Sequence, residues 1–518
     1  MKTFRNPILP GCYPDPSICR VGDDFYLVNS TFAYFPGLPI FHSRDLVHWR
    51  QIGHAFDRPS QLDLHEIHPA CGLYAPTIRY WQGVFYIINT LVAGKGPSGN
   101  FIITATNPAG PWSEPYWLEA EGIDPSLFFD DDGRVWYVGN RGVANPQYDG
   151  HTEIWLQELD LPSMRLIGES MAIWEGALKK VIWPESPHIY RIGEFYYLMI
   201  AEGGTEYHHA VTIARSESIQ GPYQGNPGNP ILTHRHLGHN YPIVGTGHAD
   251  LVQTAAGDWW MVLLAMRPYD GYFYNLGRET FLVPVRWEDG WPIVSPGIGR
   301  VEFSYPVPNL PEQTWPEPAA RDDFDAPTLG LCWNLLRTPP ETPFYSLSEC
   351  PGSLRLYLRP EHVAEQSNPS FVGRRQQHIN FVARTALTFS PLVENECVGL
   401  VAIQNEDFHF RFVVTAQTVR LTQRAHKEET ILAEQPLAAG QVWLKIEAHG
   451  QNYGFYFSTD LDTWHPLAEN VDGRILSTPV AGGFVGAWIA MYASSNGQPS
   501  SNYADFDWFE YHGLDEEN

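Results

Sequence analysis

Basic residues are scarce in this chain of 518 residues. Lysine and arginine together number 33, against 59 aspartates and glutamates, which gives a formal net charge of −26. Proteins that bind nucleic acids or anionic lipids draw affinity from clustered positive charge, so this balance argues against both kinds of partner. Apolar runs are short as well, and none approaches the roughly 18 residues of a membrane-spanning helix.

Cysteine is also scarce, with six residues that form neither a CxxC nor a Cys/His zinc pattern. In a chain of this length we expect them to be free, buried thiols, which favours a reducing compartment. The N-terminal stretch MKTFRNPILPGCYPDP has no apolar region typical of a secretory signal. We therefore expect a cytoplasmic protein.

Aromatic residues, glycine and proline are plentiful, and five stretches of the first 300 residues share one pattern. A polar or proline-containing head precedes a short apolar segment, a turn with Gly or Asp, and an aromatic or β-branched strand. The five stretches are YPDPSICRVGDDFYLVNS, YAPTIRYWQGVFYIINT, IDPSLFFDDDGRVWYVGN, ESPHIYRIGEFYYLMIAE and GHADLVQTAAGDWWMVLL. Units of about 50–60 residues with several short strands are typical of propeller blades, so residues 1–305 are predicted to form a five-bladed β-propeller.

The aligned heads carry acidic residues. The first strand of each blade lines the central channel, so the heads converge on the propeller axis. Asp15, Asp124 and His248 lie at matched head positions, and Glu185 precedes the fourth head by one residue. Because like charges repel one another, three carboxylates gathered at one channel mouth indicate a functional site.

A second domain is predicted after a proline-rich linker at residues 306–320. Residues 321–518 lack the repeat and alternate like the strands of an antiparallel sandwich of the jelly-roll (concanavalin-like) type, so the chain as a whole is predicted to be all-β. Such a sandwich either binds sugar itself or braces the propeller, and we favour bracing with one loop that reaches the site. The loop GGFVGAW, with Phe484, is the candidate.

Three carboxyl groups among aromatic residues, without a nucleotide or metal motif, suggest glycoside hydrolysis. A general acid needs a raised pKa, and Glu185 follows Trp183 and Pro184, which suggests an apolar setting. Asp15 and Asp124 lie in D-P-S turns, where nearby backbone N–H groups are expected to keep them ionised.

The sequence resembles glycoside hydrolase family 43. In the first domain the resemblance is carried by PDPSI, STF, YAPTIRY, IDPSLF, ESPHIY and GHADLV. In the second domain RDDFD, CWNLLRTP and RRQQH look like the C-terminal sandwich of the β-xylosidase branch. The resemblance covers nearly the whole chain in order.

The resemblance implies roles for individual residues. It implies that Asp15 is the general base, that Glu185 is the general acid, and that Asp124 orients the acid and tunes its pKa. The other implied site residues are Phe32 as an aromatic wall, Tyr74 where several relatives carry Trp, Thr205 at the pocket floor, Arg278 as a substrate-binding residue and His248 in the channel. His248 is also the candidate metal neighbour, because in some members this histidine lies beside a central calcium ion; no cofactor is implied as a requirement.

The expected activity is that of an inverting, exo-acting hydrolase that releases terminal xylose from β-1,4-xylo-oligosaccharides. The alternatives are an α-L-arabinofuranosidase or an enzyme with both activities, a retaining fructan- or sucrose-cleaving propeller enzyme, and a propeller that binds glycans without cleaving them. The expected partner is a small oligosaccharide. Assembly into a homo-oligomer is left open.

Overall fold

Five antiparallel sheets make up the first part of the chain in a computed structural model, which describes residues 2–93, 96–437 and 440–514. Residue 1 and residues 515–518, the outer ends of the two predicted domain ranges, lie outside the described residues. The sheets are the blades of a propeller, so the predicted five blades and all-β class are confirmed.

The innermost strand of each blade either contains the aligned head or begins two residues after it. Blade 1 consists of Ser17–Val21, Asp24–Val28, Gly37–Ser43 and Arg50–Phe56. Blade 2 consists of Gly72–Leu73, Thr77–Trp81, Val84–Val92, Gly99–Ala105 and Tyr116–Trp117. Blade 3 consists of Ser126–Phe129, Val135–Gly142, Thr152–Asp160 and Arg165–Trp174. Blade 4 consists of Glu185–Ile192, Phe195–Glu202, Ala210–Ser216, Gln224–Gly225 and Leu232–Thr233. Blade 5 consists of Val244–Gln253, Trp259–Met266, Glu279–Glu288 and Trp291–Val294.

The centre of the propeller is filled by a buried polar network. The Asp250 carboxylate accepts hydrogen bonds from the Ser17 hydroxyl (2.8 Å), Arg79 Nη1 (2.9 Å) and the Tyr190 hydroxyl (2.7 Å). These four residues come from blades 5, 1, 2 and 4. Because a buried carboxylate is costly unless it is paired and fully hydrogen-bonded, this network ties the first strands of four blades to one another.

Two further sheets form the second domain. The larger sheet contains Tyr345–Ser346, Leu354–Tyr357, Tyr503–Gly513, Phe381–Phe389, Gly440–His449, Asn452–Ser458 and His465–Asp472, with Arg321–Asp322 at its side. The other contains Ser370–Arg375, Trp488–Ser494, Cys397–Asn405, Phe408–Val414, Thr418–Ala425 and Glu428–Pro436. A 3₁₀ turn at Gly473–Leu476 and a one-turn helix at Thr478–Ala481 precede the loop that holds Phe484. Inward-facing apolar side chains such as Leu444, Phe410 and Met491 form the core.

The sandwich is fixed to the propeller by backbone pairing and by side chains. Leu335–Leu336 pairs with Tyr34–Phe35, which emerges from blade 1. The Tyr34 ring stacks on Trp488 of the sandwich at 3.8 Å between centroids. Arg375 Nε donates to the Cys12 carbonyl at 2.7 Å. These contacts join the two domains into one unit around the channel mouth.

The chain ends of the propeller meet, and the linker follows the surface of blade 1. Thr3–Arg5 pairs antiparallel with Ser304–Pro306. Trp315 in the linker donates from Nε1 to the His48 carbonyl at 3.1 Å, and the Arg50 guanidinium lies 3.9 Å from the Trp315 ring centroid. The linker is therefore held in place by blade 1 rather than spanning open solvent.

The cysteines are unpaired, as expected, but their predicted burial holds for only half of them. Cys12, Cys19 and Cys397 are buried, whereas Cys71 and Cys350 are partly exposed and Cys332 is exposed. The exposed position follows from its place in the turn before a short edge strand at Leu335–Leu336. Within the described ranges, no helix is long and apolar enough to cross a membrane.

Candidate active site

The aligned heads adopt the same rare backbone conformation. The φ angles are 53° at Asp15, 52° at Asp124, 54° at Ser186 and 45° at His248. A residue with a side chain is uncommon at positive φ, because Cβ then crowds its own backbone, and such conformations concentrate at functional sites. Four blades therefore enter the channel through the same tight bend, and three of the four heads, Asp15, Asp124 and His248, line one cavity.

That cavity brings all nine predicted site residues together. It has about 380 Å³ of empty space, counted with its open mouth. Its lining consists of Asp15, Phe32, Tyr74, Ala75, Ile123, Asp124, Glu185, Thr205, His248, Arg278 and Phe484. Side chains from all five blades and one loop of the sandwich thus enclose the site.

Asp15 is held as a carboxylate. Its Oδ1 accepts a hydrogen bond from Arg278 Nη1 at 2.7 Å, and its Oδ2 accepts one from the Ser30 hydroxyl at 2.6 Å. Burial works against the charged form, but Arg278, the nearby His248 and the Ser30 hydrogen bond outweigh it and hold the pKa of Asp15 below its ordinary value. These groups, rather than the backbone N–H groups expected from the sequence, keep Asp15 ionised.

Glu185, in contrast, is held in the protonated state. Burial and the negative charge of Asp15 raise the pKa of Glu185 to about 8, although Arg278 pulls in the other direction. At neutral pH its carboxyl group therefore carries a proton. A protonated carboxyl and an ionised carboxylate facing one cavity are the two partners that glycosidic bond hydrolysis needs.

The expectation that Asp124 stays ionised is wrong. Burial, Glu185 and Asp15 raise the pKa of Asp124 well above its ordinary value. Within the described part of the chain no hydrogen bond to its carboxylate is found, so the D-P-S turn supplies no donor to offset the loss of water. Asp124 and Glu185 share one buried environment in which Asp15 already carries the negative charge, so further ionisation there is disfavoured.

Three aromatic rings form one side of the cavity. The Phe32 ring lies 5.6 Å from Tyr74 and 6.5 Å from Phe484, and it is nearly parallel to Phe484. The Tyr74 hydroxyl donates to the Ala70 carbonyl at 3.0 Å, so its hydroxyl points away from the charged groups. Phe484 is the ring that the sandwich contributes, and the residue predicted from the GGFVGAW loop does line the cavity.

Arg278 connects these elements. Its Nη1 also donates to the Thr205 hydroxyl at 3.1 Å, and its Nη2 donates to the Phe484 carbonyl at 3.2 Å. Its guanidinium carbon lies 5.5 Å from the Phe32 ring centroid, within the range of a cation–π contact. One side chain of blade 5 thus fixes Asp15, the blade 4 loop and the sandwich loop at once.

The residues around His248 do not fit the calcium ion considered from the sequence. Calcium takes six to eight oxygen ligands, whereas His248 offers a ring nitrogen 3.6 Å from Asp15 Oδ1. The Asp15 oxygens already serve Arg278 and Ser30, and the Asp250 oxygens serve Arg79. The described residues contain no cluster of three or more His, Cys, Asp or Glu side chains that could hold a metal ion. The guanidinium groups of Arg79 and Arg278 supply the positive charge of the channel instead.

Sequence reasoning missed Ser30, Ala75 and Ile123 as site residues. Ser30 stands in the STF segment beside Phe32, and a small hydroxyl residue next to an aromatic wall carries no distinctive signal by itself. Ala75 occupies the second aligned head, so its position in the cavity follows from the repeat. Ile123 immediately precedes Asp124 and adds an apolar surface to the lining.

Two family models match the chain. Residues 4–292 match the model described as glycosyl hydrolases family 43. Residues 321–512 match the β-xylosidase C-terminal concanavalin A-like domain. These two matches coincide with the propeller and the sandwich.

Curated proteins and solved structures resemble the chain along its whole length. It is 48% identical to a xylosidase/arabinosidase of Butyrivibrio fibrisolvens, over 98% of this chain and 99% of that protein. It is 45% identical to a non-reducing-end α-L-arabinofuranosidase of Bacteroides ovatus, over 99% and 96%. A crystal structure of a xylan β-1,4-xylosidase from Bacillus halodurans superposes with a TM-score of 0.93 at 36% identity, covering 98% of this chain and 99% of that one.

Proposed function

The chain belongs to glycosyl hydrolase family 43 and is a xylosidase/arabinosidase-type enzyme, and on that premise we propose that it is an inverting, exo-acting hydrolase that releases terminal xylose from β-1,4-xylo-oligosaccharides. The observation that carries the mechanism is the opposite protonation of two carboxyl groups in one cavity. Arg278 and Ser30 hold Asp15 as a carboxylate, whereas burial and Asp15 keep a proton on Glu185.

In the proposed reaction Glu185 donates its proton to the oxygen of the leaving sugar. Asp15 accepts a proton from a water molecule, which attacks the anomeric carbon from the opposite face. Burial and the Asp15 charge disfavour loss of the Glu185 proton before the bond breaks, and Asp124, which stays protonated, adds no further negative charge beside it. Arg278 keeps Asp15 charged and oriented, and the three rings exclude water from the remaining faces of the sugar.

The shape of the cavity supports exo action. Phe484 from the sandwich stands against Phe32 and Tyr74 of the propeller, so the cavity has a wall where an open propeller mouth would leave a cleft. A walled cavity accepts one chain end, whereas a cleft accepts the middle of a chain. The terminal sugar therefore occupies the cavity, and the remainder of the substrate leaves past Glu185.

An α-L-arabinofuranosidase is the second candidate. Two relatives that cover nearly the whole chain carry arabinosidase or arabinofuranosidase in their names. Tyr74 is a smaller platform than tryptophan, and its ring lies at 73° to Phe484 rather than parallel to it. Such a wall suits a puckered furanose as well as a flat-faced pyranose.

The test is a panel of nitrophenyl glycosides: β-D-xylopyranoside, α-L-arabinofuranoside and β-D-glucopyranoside. We expect kcat/KM to be highest for xylopyranoside, with arabinofuranoside next. Preference for arabinofuranoside would establish the second candidate, and cleavage of neither pentoside would refute both. Xylobiose and a long xylan, compared by the size of the released products, separate exo from endo action.

A further inference from the structure

Trp183 is exposed although tryptophan is usually largely buried. It retains 48% exposure, and it is the one tryptophan among the exposed large apolar residues of the described chain. It stands two residues before Glu185, the proposed proton donor. An exposed indole at such a position costs hydration free energy unless something covers it during function.

Two glycines pack against the indole. Gly150 and Gly204 both have a φ of 76°. A Cβ added to Gly150 would lie 2.9 Å from Trp183 Nε1, and one added to Gly204 would lie 3.0 Å from a carbon of the indole ring. Both backbones therefore pack directly against the indole, which leaves it little freedom to turn.

The backbone around Trp183 is fixed independently of its side chain. The Trp183 N–H donates to the Gly150 carbonyl at 2.7 Å, and the Gly203 N–H donates to the Ile182 carbonyl at 2.9 Å. A substitution of the indole thus leaves the main-chain hydrogen bonds of this segment intact.

The Trp183 indole lies near two residues that line the cavity. Gly204, against which the indole packs, is followed by Thr205, which lines the cavity and accepts a hydrogen bond from Arg278. Glu185 lines the same cavity. Trp183 itself is not part of the lining, but it packs against the neighbour of Thr205 and stands two residues before Glu185, which places it next to two lining residues. The proton donor must touch the bridging oxygen, so the sugar on the far side of that oxygen lies beside Glu185 as well.

We propose that Trp183 is the binding platform for the leaving-group sugar, a pyranose whose apolar C–H face packs on the exposed part of the indole. This assignment rests on the proposed function and adds a specificity-determining residue to it. A flat, immobile aromatic ring binds a sugar face at little conformational cost, because neither the indole nor its backbone has to be ordered on binding. The enzyme thereby prefers a sugar, rather than a small alcohol, on the departing side.

The experiment compares xylobiose with β-D-xylopyranosyl fluoride, whose leaving group has no ring. Trp183→Ala is expected to lower kcat/KM on xylobiose about tenfold, the scale of one aromatic stacking contact, and to change it less than about twofold on the fluoride. Trp183→Phe should retain most of the activity on xylobiose. Tyr116→Ala, which removes an equally exposed ring (46%) at the edge of blade 2, is the matched control and should change neither substrate.

Equal losses on both substrates would overturn the proposal, because the indole would then act on the cavity or on folding rather than on the leaving group. Unchanged cleavage of xylobiose by Trp183→Ala would also overturn it. If the alanine variant does not fold, Trp183→Leu tests the same point, since leucine keeps apolar volume without a flat ring and should behave as expected for alanine. A wild-type enzyme that cleaves neither substrate would refute the proposed xylosidase activity itself, which is a distinct outcome.

Discussion

Replacement of Arg278 by methionine should move the whole pH profile of activity to higher pH. Arg278 and Asp15 are 7% and 4% exposed, and their contact is 2.7 Å long. The guanidinium favours the charged form of Asp15 and also lowers the pKa of Glu185. Methionine fills similar space without charge, so both carboxyl groups should bind protons more tightly in the variant.

The size of the effect follows from the burial of the pair. Removal of one partner from a buried ion pair costs about 3–5 kcal/mol, because the other charge is left uncompensated. One pH unit corresponds to about 1.4 kcal/mol. His248 and Ser30 still stabilise the Asp15 carboxylate, so only part of that free energy appears as a change in the pKa of Asp15. We expect the acidic limb of the pH profile to shift to higher pH by more than about one unit.

The assay is the pH dependence of kcat/KM on xylobiose, whose leaving sugar requires a proton; this parameter reports the groups of the free enzyme. In the proposed reaction Asp15 must be ionised, so the acidic limb of the profile follows the pKa of Asp15. Glu185 must be protonated, so the alkaline limb follows the pKa of Glu185, which is raised to about 8. Arg278→Lys should restore the limbs in part. Thr205→Val, which removes a hydrogen-bond partner of Arg278 and leaves the charge, should lower activity without moving either limb. An acidic limb that stays in place in Arg278→Met would refute the role of Arg278 in setting the base.

Three further outcomes are expected. Glu185→Gln should slow xylobiose cleavage far more than cleavage of a dinitrophenyl xyloside, whose leaving oxygen needs no proton, and equal losses would contradict the acid assignment. A fragment ending at Pro306 should be poorly soluble or nearly inactive, because it loses Phe484 and exposes the Tyr34 ring that stacks on Trp488. A soluble fragment with full turnover of xylobiose would show that the sandwich is dispensable. Treatment with a strong chelator, followed by added calcium, should leave kcat/KM unchanged at both steps, because Arg79 and Arg278 supply the channel's positive charge; reactivation by calcium would contradict this.

The repeat was the most informative feature of the sequence, because side chains at matched positions of a propeller share one backbone environment. The positive φ angles at Asp15, Asp124 and His248 show that these matched positions share one backbone conformation. The same reasoning could not give the protonation of Asp124, since a turn motif does not reveal which donors reach a carboxylate. Only the folded arrangement shows that Ser30 and Arg278 serve Asp15 and leave Asp124 without a donor among the described residues.

The sandwich was harder to predict in detail. The edge strand Glu428–Pro436 could not be predicted, because most of its side chains are exposed and it lacks the apolar alternation of a half-buried strand. The place of Phe484 depends on the docking of Leu335–Leu336 against Tyr34–Phe35, a pairing between segments about 300 residues apart. The aromatic loop could be chosen from sequence, but its reach into the cavity could not be derived from local pattern.

The most direct test of the central claim is the anomeric configuration of the first sugar released. Proton NMR during the initial turnover of a β-xyloside, recorded faster than mutarotation, distinguishes the two anomers. If Asp15 activates water while Glu185 donates its proton, α-xylose forms first and the β-anomer appears only later by mutarotation. Initial formation of β-xylose, or a covalent glycosyl adduct on Asp15, would contradict the account.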